Sequence, residues 1–282
     1  MIDIFSVLGH RLAAFGKTPD TVEVVRRAAV ENPWFLPQEI IRAVKAIRCE
    51  MLERQRLEAW AGAYPPVRTP KRVLVVMAGN IPLVGFFDLL CVLASGHACR
   101  VKPSSKDTVL IGYVVDLLRT IDPAIPLRMA EQGERPDAVI ATGSDNANRY
   151  FRMLFGGIPS LLRGSRQSVA VLSGRETAAE LSGLEEDIFS YSGLGCRNVS
   201  LLFLPRGYLP ELRCTALNEK YRRNYLRERA LLRMRRMPFV DLDGAVLCED
   251  RSFPAALSRI HYTFYDSLAD VEAWLAAHDD RL

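Results

Sequence analysis

The chain has 282 residues, 49% of them hydrophobic and 25% charged. That composition excludes long disorder and leaves room for one large or two modest domains that need neither disulfide nor metal staples. The net charge of +4 is local: the segment 220–236 holds eight basic residues and one acid, Glu228, and the remainder is net negative, which argues against the broad basic face of a nucleic-acid binder.

The start, MIDIFSVLGH, carries Asp3 and lacks a basic stretch, so no signal peptide is expected. The segment 1–68 reads as helical. After Pro37 and Gln38, the apolar residues Ile40, Ile41, Val44, Ile47, Met51, Leu52, Leu57 and Trp60 fall on one helix face, and Tyr64, Pro65 and Pro66 stop it. From residue 72 the rhythm changes. A strand is predicted at 72–77 (RVLVVM), ending in Ala78, Gly79 and Asn80, and a helix over 82–94. Next come a strand at 98–102, the turn Pro103, Ser104 and Ser105, and a helix over 106–119. A third round follows: strand 137–141, turn Thr142, Gly143 and Ser144, helix 145–155.

Strand, small-residue turn and helix repeated three times predict a parallel sheet with helical crossovers, a Rossmann-like α/β domain. Ligands of such sheets bind at the carboxyl ends of the strands, so the three turns are candidate site loops. A second α/β unit is expected from about residue 160. It has a strand at 168–172, a helix at 176–191, a strand at 198–204, a basic helix at 216–237 and a last helix at 267–278 with a capping box from Ser267 and Asp270. The domain reading is therefore 1–68, a helical region packing on the next domain; 69–160, a nucleotide-binding domain; and 161–282, a catalytic domain. The longest apolar stretch, 81–96, is broken by Asp88 and falls short of the roughly 20 residues of a membrane span, so a cytoplasmic protein is expected.

Six cysteines, at 49, 91, 99, 196, 214 and 248, form no CxxC pair and no zinc spacing, and read as free thiols of a reducing compartment. Cys91 sits in an apolar run and is expected to be buried. Cys196, in Gly-Leu-Gly-Cys-Arg, follows two glycines that permit close approach and precedes Arg197, which favours thiolate. It reads as either a nucleophile or an inert loop thiol. Asn80 is either an oxyanion donor or the cap of the helix starting near Pro82. Lys102, with Ser104 and Ser105, is either a ribose or phosphate ligand or an exposed lysine. The turn at 142–144 resembles a nucleotide-binding turn, without GxGxxG or Walker A. His10, His97, His261 and His278 have no motif partner, and the basic helix is a solvated face or a site for a phosphate or an acidic partner.

Taken in order, Ala-Gly-Asn80-Ile-Pro-Leu, Arg-Val-Lys102-Pro-Ser-Ser, Ala-Thr-Gly143-Ser144 and Gly-Leu-Gly-Cys196-Arg-Asn-Val resemble the aldehyde dehydrogenase superfamily. The detail is most similar to its acyl-CoA reductase (LuxC-like) branch. Further matches are Asn32-Pro33-Trp34-Phe35, Asp145-Asn146-Ala147-Asn148-Arg149-Tyr150-Phe151, Arg166-Gln167-Ser168-Val169-Ala170-Val171-Leu172 and Glu186-Asp187-Ile188-Phe189. The resemblance implies an aldehyde-dehydrogenase-like fold in which Cys196 accepts the acyl group and Asn80 supplies the oxyanion hole. Lys102, Ser104 and Ser105 would hold the ribose, with a 2′-phosphate if the cofactor is NADPH, and Thr142, Gly143 and Ser144 would lie near the cofactor. The implied reaction is reduction of an acyl thioester, acyl-CoA or acyl-carrier protein, to an aldehyde by NADPH.

It also implies a homo-oligomer and an acyl-transferring partner protein, while the charge distribution and the cysteine and histidine spacing lead to the expectation of no nucleic acid and no metal. Two departures stand out. The position of the hydrolytic glutamate base holds Arg163, which leaves water without an activator. The chain also stops soon after the last helix, earlier than the family pattern. The alternatives are an impaired or truncated homologue serving as a partner subunit, and an acylating semialdehyde dehydrogenase with a small substrate.

Overall fold

The computed structural model describes every residue except Pro66 and Leu217, so the Pro66 part of the expected helix stop and the Leu217 part of the expected basic helix lie outside the described residues. The chain divides into two compact units, Met1–Gly164 and Ser165–Leu282.

The first unit opens with four helices: α1 (Ile2–Arg11), α2 (Pro19–Glu31), α3 (Pro37–Met51) and α4 (Arg54–Gly62). Proline at the first turn suits α2 and α3, since its missing N–H has no partner there in any helix. The sequence predicts one continuous helix across 37–60. The structure breaks it at Leu52, which turns inward, 2% exposed, so close to Gly9 of α1 that a side chain on Gly9 would meet it at 3.0 Å. The burial of Leu52 outweighs two residues of helix propensity.

The sheet follows, with β1 (Arg72–Val76), α5 (Phe86–Ala94), β2 (Ala98–Lys102), α6 (Thr108–Ile121), β3 (Leu127–Met129), β4 (Ala138–Thr142), α7 (Asp145–Phe155) and β5 (Ser160–Arg163). Its order is β3-β2-β1-β4-β5, parallel throughout. Alternation along β1 serves both faces. Val73 and Val75 join the large core under α1–α3, α5 and α6, while Leu74 packs with Val139 and Ala141 under Phe151 and Phe155 of α7. The unit reaches Gly164, beyond the expected boundary near 160, because 160–163 pairs with β4 as the edge strand. This short, largely exposed SLLR run has no alternation to reveal it.

The second unit contains β6 (Ser168–Val171), α8 (Ala178–Phe189), β7 (Val199–Pro205), α9 (Glu219–Met234), β8 (Val240–Asp241), β9 (Val246–Glu249), β10 (Arg259–Tyr265) and α10 (Leu268–Ala277). Its sheet runs β6-β7-β10-β9-β8, with only β8 antiparallel to its neighbour. Val271 and Trp274 of α10 pack on Leu201 and Phe203, and Tyr225 and Leu232 of α9 pack on Val246 and Cys248. The expected capping box of Ser267 and Asp270 starts α10, and Thr177 with Glu180 makes another on α8. Among the described residues no helix is long and apolar enough to cross a membrane.

Candidate functional site

In the first unit the chain builds outward from β1 to β2 and β3, then crosses to β4 on the far side of β1. The turns after β1 and β4 therefore flank a topological switch point, the position where open α/β sheets bind ligands. The turn after β2 joins them. Met77 N–H donates to the Lys102 carbonyl (3.0 Å), and a side chain on Gly79 would meet Ser104 Oγ at 2.6 Å and its Cβ at 2.7 Å. Glycine is the residue that lets these two loops touch. The buried Asn32 donates its side-chain amide to the carbonyls of Gly79 (3.4 Å) and Lys106 (3.2 Å), tying both loops to the end of α2. Its place in the Asn-Pro-Trp-Phe motif was the only sequence signal of that role.

Asn80 is half-buried in the turn after β1. It does not cap the following helix. That helix starts at Phe86 with Gly85 as its N-cap, four residues later than the expected start at 82. The intervening turn puts Leu83 at φ 56°, in the left-handed region, and the Leu83 N–H donates to Asp107 Oδ2 (2.8 Å). Burial pushes the Asp107 carboxyl up to about 8, with the Leu83 bond opposing the shift and the neighbouring Glu31 adding to it.

Lys102 ends β2 with its side chain exposed, on the rim of a cavity of about 460 Å³. Leu74, Arg100, the loop around Gln132 and Gly133, and Phe155 complete the lining. Arg100 Nε is held by Glu134 Oε1 at 2.7 Å. Ser104 is half-buried, its Oγ accepting from Lys106 N–H (3.2 Å), and Ser105 is exposed. Thr142 ends β4, Gly143 N–H donates to the Arg163 carbonyl (3.1 Å), and Ser144 caps α7, its Oγ accepting from Ala147 N–H (3.3 Å). The loop at 130–134 was not anticipated, because it has no motif and is placed only by pairing of β3.

Cys196 lies in the second unit, exposed, in the loop between α8 and β7. Before it the backbone is contorted: Tyr191, Ser192 and Gly193 have φ of 52°, 56° and 66°. The two non-glycine residues cost about 1 kcal/mol each or more, a strain that surrounding contacts must hold. Asn198 does so. Its amide donates to the carbonyls of Asp187 (2.8 Å) and Ser190 (3.0 Å), and its oxygen accepts from Gly195 N–H (2.8 Å). Ser168 Oγ donates to the Cys196 carbonyl (3.0 Å), fastening the loop to β6. The sequence names Cys196 but not these two supports, since a side chain that bonds backbone 11 residues away leaves no periodic signal.

The other thiols differ. Cys99 is buried and pushed up to about 12 by burial. Cys91, expected to be buried, is half-buried and pushed up to about 11, by burial first and the nearby Asp88 second. His261, assigned no catalytic part, is buried with Nδ1 2.7 Å from the Ser252 carbonyl.

The sequence matches no family model and no curated protein. Solved structures do match. An NAD-dependent benzaldehyde dehydrogenase from Corynebacterium glutamicum aligns over 97% of this chain and 73% of its own, with a TM-score of 0.68 at 13% identity. The fold is that of the aldehyde dehydrogenases. An aldehyde dehydrogenase from Bacillus cereus, solved with NAD+, aligns over 97% and 68% with the same TM-score and 13% identity. A betaine aldehyde dehydrogenase from Staphylococcus aureus gives 97%, 67% and 0.66 at 9% identity. At such identities the likeness speaks for the aldehyde-dehydrogenase fold and not for a reaction.

Proposed function

We propose that this protein reduces an acyl thioester, with fatty acyl-CoA as the substrate class, to an aldehyde through a covalent acyl-Cys196. The observation that carries the reading is the exposed Cys196 on a strained loop pinned by Asn198 and Ser168. Rigid presentation suits a nucleophile that must approach a carbonyl carbon from one face, out of the plane of the acyl group. The Cys196 thiolate forms a C–S bond to that carbon, the CoA sulfur leaves as thiolate and takes up a proton, and the Asn80 side-chain amide donates to the oxyanion. Arg163, at the place of a hydrolytic glutamate, is engaged with Asp88, which favours reduction over hydrolysis.

A nicotinamide nucleotide fits the first unit. The cavity beside Lys102 has room for an adenosine, and the close-packed turns at 78–80 and 103–105 present backbone to its phosphates. In this reading Lys102, Ser104 and Ser105 hold the ribose and a 2′-phosphate, making NADPH the cofactor, while Thr142, Gly143 and Ser144 border it. When bound, the nucleotide supplies the hydride that brings the acyl group to the aldehyde level. Cys196 is then released as thiolate for the next cycle.

The test is NADPH consumption with a series of acyl-CoA thioesters, comparing the wild type with Cys196→Ala and following acylation of the intact protein by mass spectrometry. Oxidation that requires both thioester and Cys196 supports the reductase. Acylation without turnover points to an impaired homologue, and the absence of both signals overturns the proposal.

A further inference from the structure

The basic helix is not explained by the proposed reaction, and α9 shows how its charges are arranged. One face is buried through Tyr221, Tyr225, Glu228 and Leu232. The acids of the helix are committed: Glu228 bonds Arg259 at 2.6 Å and Glu219 bonds Arg223 at 3.3 Å. Arg229 is held by Asp241 at 3.0 Å. Arg222, Arg227 and Arg233 of the helix, and Arg235 and Arg236 at its C-terminal end, are exposed and have no ion-pair partner among the described residues.

The outer face of α9 is not purely polar. Leu226 is 48% exposed and Met234 80%. Leu226, Ala230 and Met234 recur every fourth residue and so form one stripe. The same spacing puts Arg222 at the head of the stripe, and helical geometry puts Arg233 on one side of it and Arg223 and Arg227 on the other. Leu226 and Met234 thus stand exposed along one row of the helix, between guanidinium groups.

We propose that the outer face of α9 docks the protein peripherally onto an anionic phospholipid surface. The arginines meet lipid phosphates while Leu226 and Met234 enter the boundary between headgroups and acyl chains. The charge and the stripe are the two parts of an interfacial helix, and α9 is far too polar to span a bilayer. Arginine matches phosphate through its fork of donors, and its long apolar stem can lie along the membrane boundary. Two other polyanions fit less well. Nucleic acid has no place for an aliphatic stripe, and the outer face lacks the aromatic anchors that dominate docking into a protein pocket. The inference is independent of the proposed catalysis, since none of these residues belongs to the candidate site.

The experiment is co-sedimentation of the full chain with vesicles of phosphatidylcholine containing about one quarter phosphatidylglycerol, against pure phosphatidylcholine, at low and at half-molar salt. Two variants accompany the wild type. One is Arg222→Glu with Arg227→Glu and Arg233→Glu; the other is Leu226→Ser with Met234→Ser. All five positions are exposed, and circular dichroism melting checks that both variants stay folded.

The expected result is binding to the anionic vesicles alone, weakened by salt. Charge reversal lowers the partition coefficient at least tenfold, and the serine variant lowers it severalfold with its salt dependence unchanged. Equal binding to neutral vesicles, no binding to anionic ones, or no loss in folded charge-reversed protein overturns the proposal. An unaltered serine variant overturns the insertion of the stripe. Tighter binding to duplex DNA than to vesicles at equal salt assigns the face to nucleic acid instead.

Discussion

Arg163, the last residue of β5, places one guanidinium nitrogen 2.7 Å from both carboxylate oxygens of Asp88 in the first turn of α5. The Asp88 side chain is 9% exposed and the Arg163 side chain 42%. The pair joins the edge strand to a buried helix. Arg163→Ala strands a buried carboxylate. With the arginine partly in water, the loss is expected to be about 2 kcal/mol, less than for a fully buried pair, and is read from urea melts. Arg163→Glu sets two carboxylates together and is expected to destabilise further rather than create a hydrolase. A stable Arg163→Glu protein that hydrolyses aldehyde-derived thioester would contradict this assignment.

The Asn198 side chain is expected to matter more for reactivity than for nucleotide binding. Asn198→Ala removes three hydrogen bonds from the strained loop ahead of Cys196. Hydrogen exchange in 190–197 should rise, and thioester-dependent turnover should fall about tenfold or more, as expected when a nucleophile loses its positioning. Nucleotide affinity, measured by fluorescence titration, should stay within about twofold, since none of the removed bonds lies in the first unit. A weakened nucleotide site would refute that separation.

Gly79 and Ser104 should behave as a coupled pair. The β-carbon of Gly79→Ala would stand 2.7 Å from Ser104 Cβ, inside contact distance, so the two turns must move apart. Nucleotide affinity should fall about tenfold, and the loss in Gly79→Ala with Ser104→Gly should be smaller than the two single losses combined, since Ser104→Gly relieves the clash while removing a proposed ribose ligand. Purely additive losses in the double-mutant cycle would remove the contact from the binding site.

Asp107 makes the protein's stability depend on pH in a specific window. The native carboxyl keeps its proton up to about 8, whereas the unfolded one loses it near 3.8. Between those values the unfolded state binds fewer protons, so the contribution of this residue to stability falls as pH rises and levels off above about 8. Asp107→Asn keeps an acceptor for the Leu83 N–H and cannot ionise. Its melting temperature relative to wild type should be higher at pH 8 than at pH 5. An unchanged difference across that range would show that Asp107 is ionised in the native state.

What the amino-acid order determined alone is the run of local elements. The β1, β2 and β4 runs, the turns after them and the helix over 145–155 were all legible, because side-chain period and turn chemistry are local properties. The order likewise singled out Asn80, Lys102 and Cys196 as residues of chemical interest. It did not reveal β3, β5, β8, β9, β10 or the break at Leu52, which exist only because partners across the sheet or the core receive them. Nor did it show what Asn32, Asn198 and Arg163 hold. Their bonds close spans of 47, 11 and 75 residues, and no pattern within a window of sequence encodes a contact at that range. Tertiary packing decided those contacts because burying the cores brings distant polar groups together, where each must find a hydrogen-bond partner or bear the cost of desolvation.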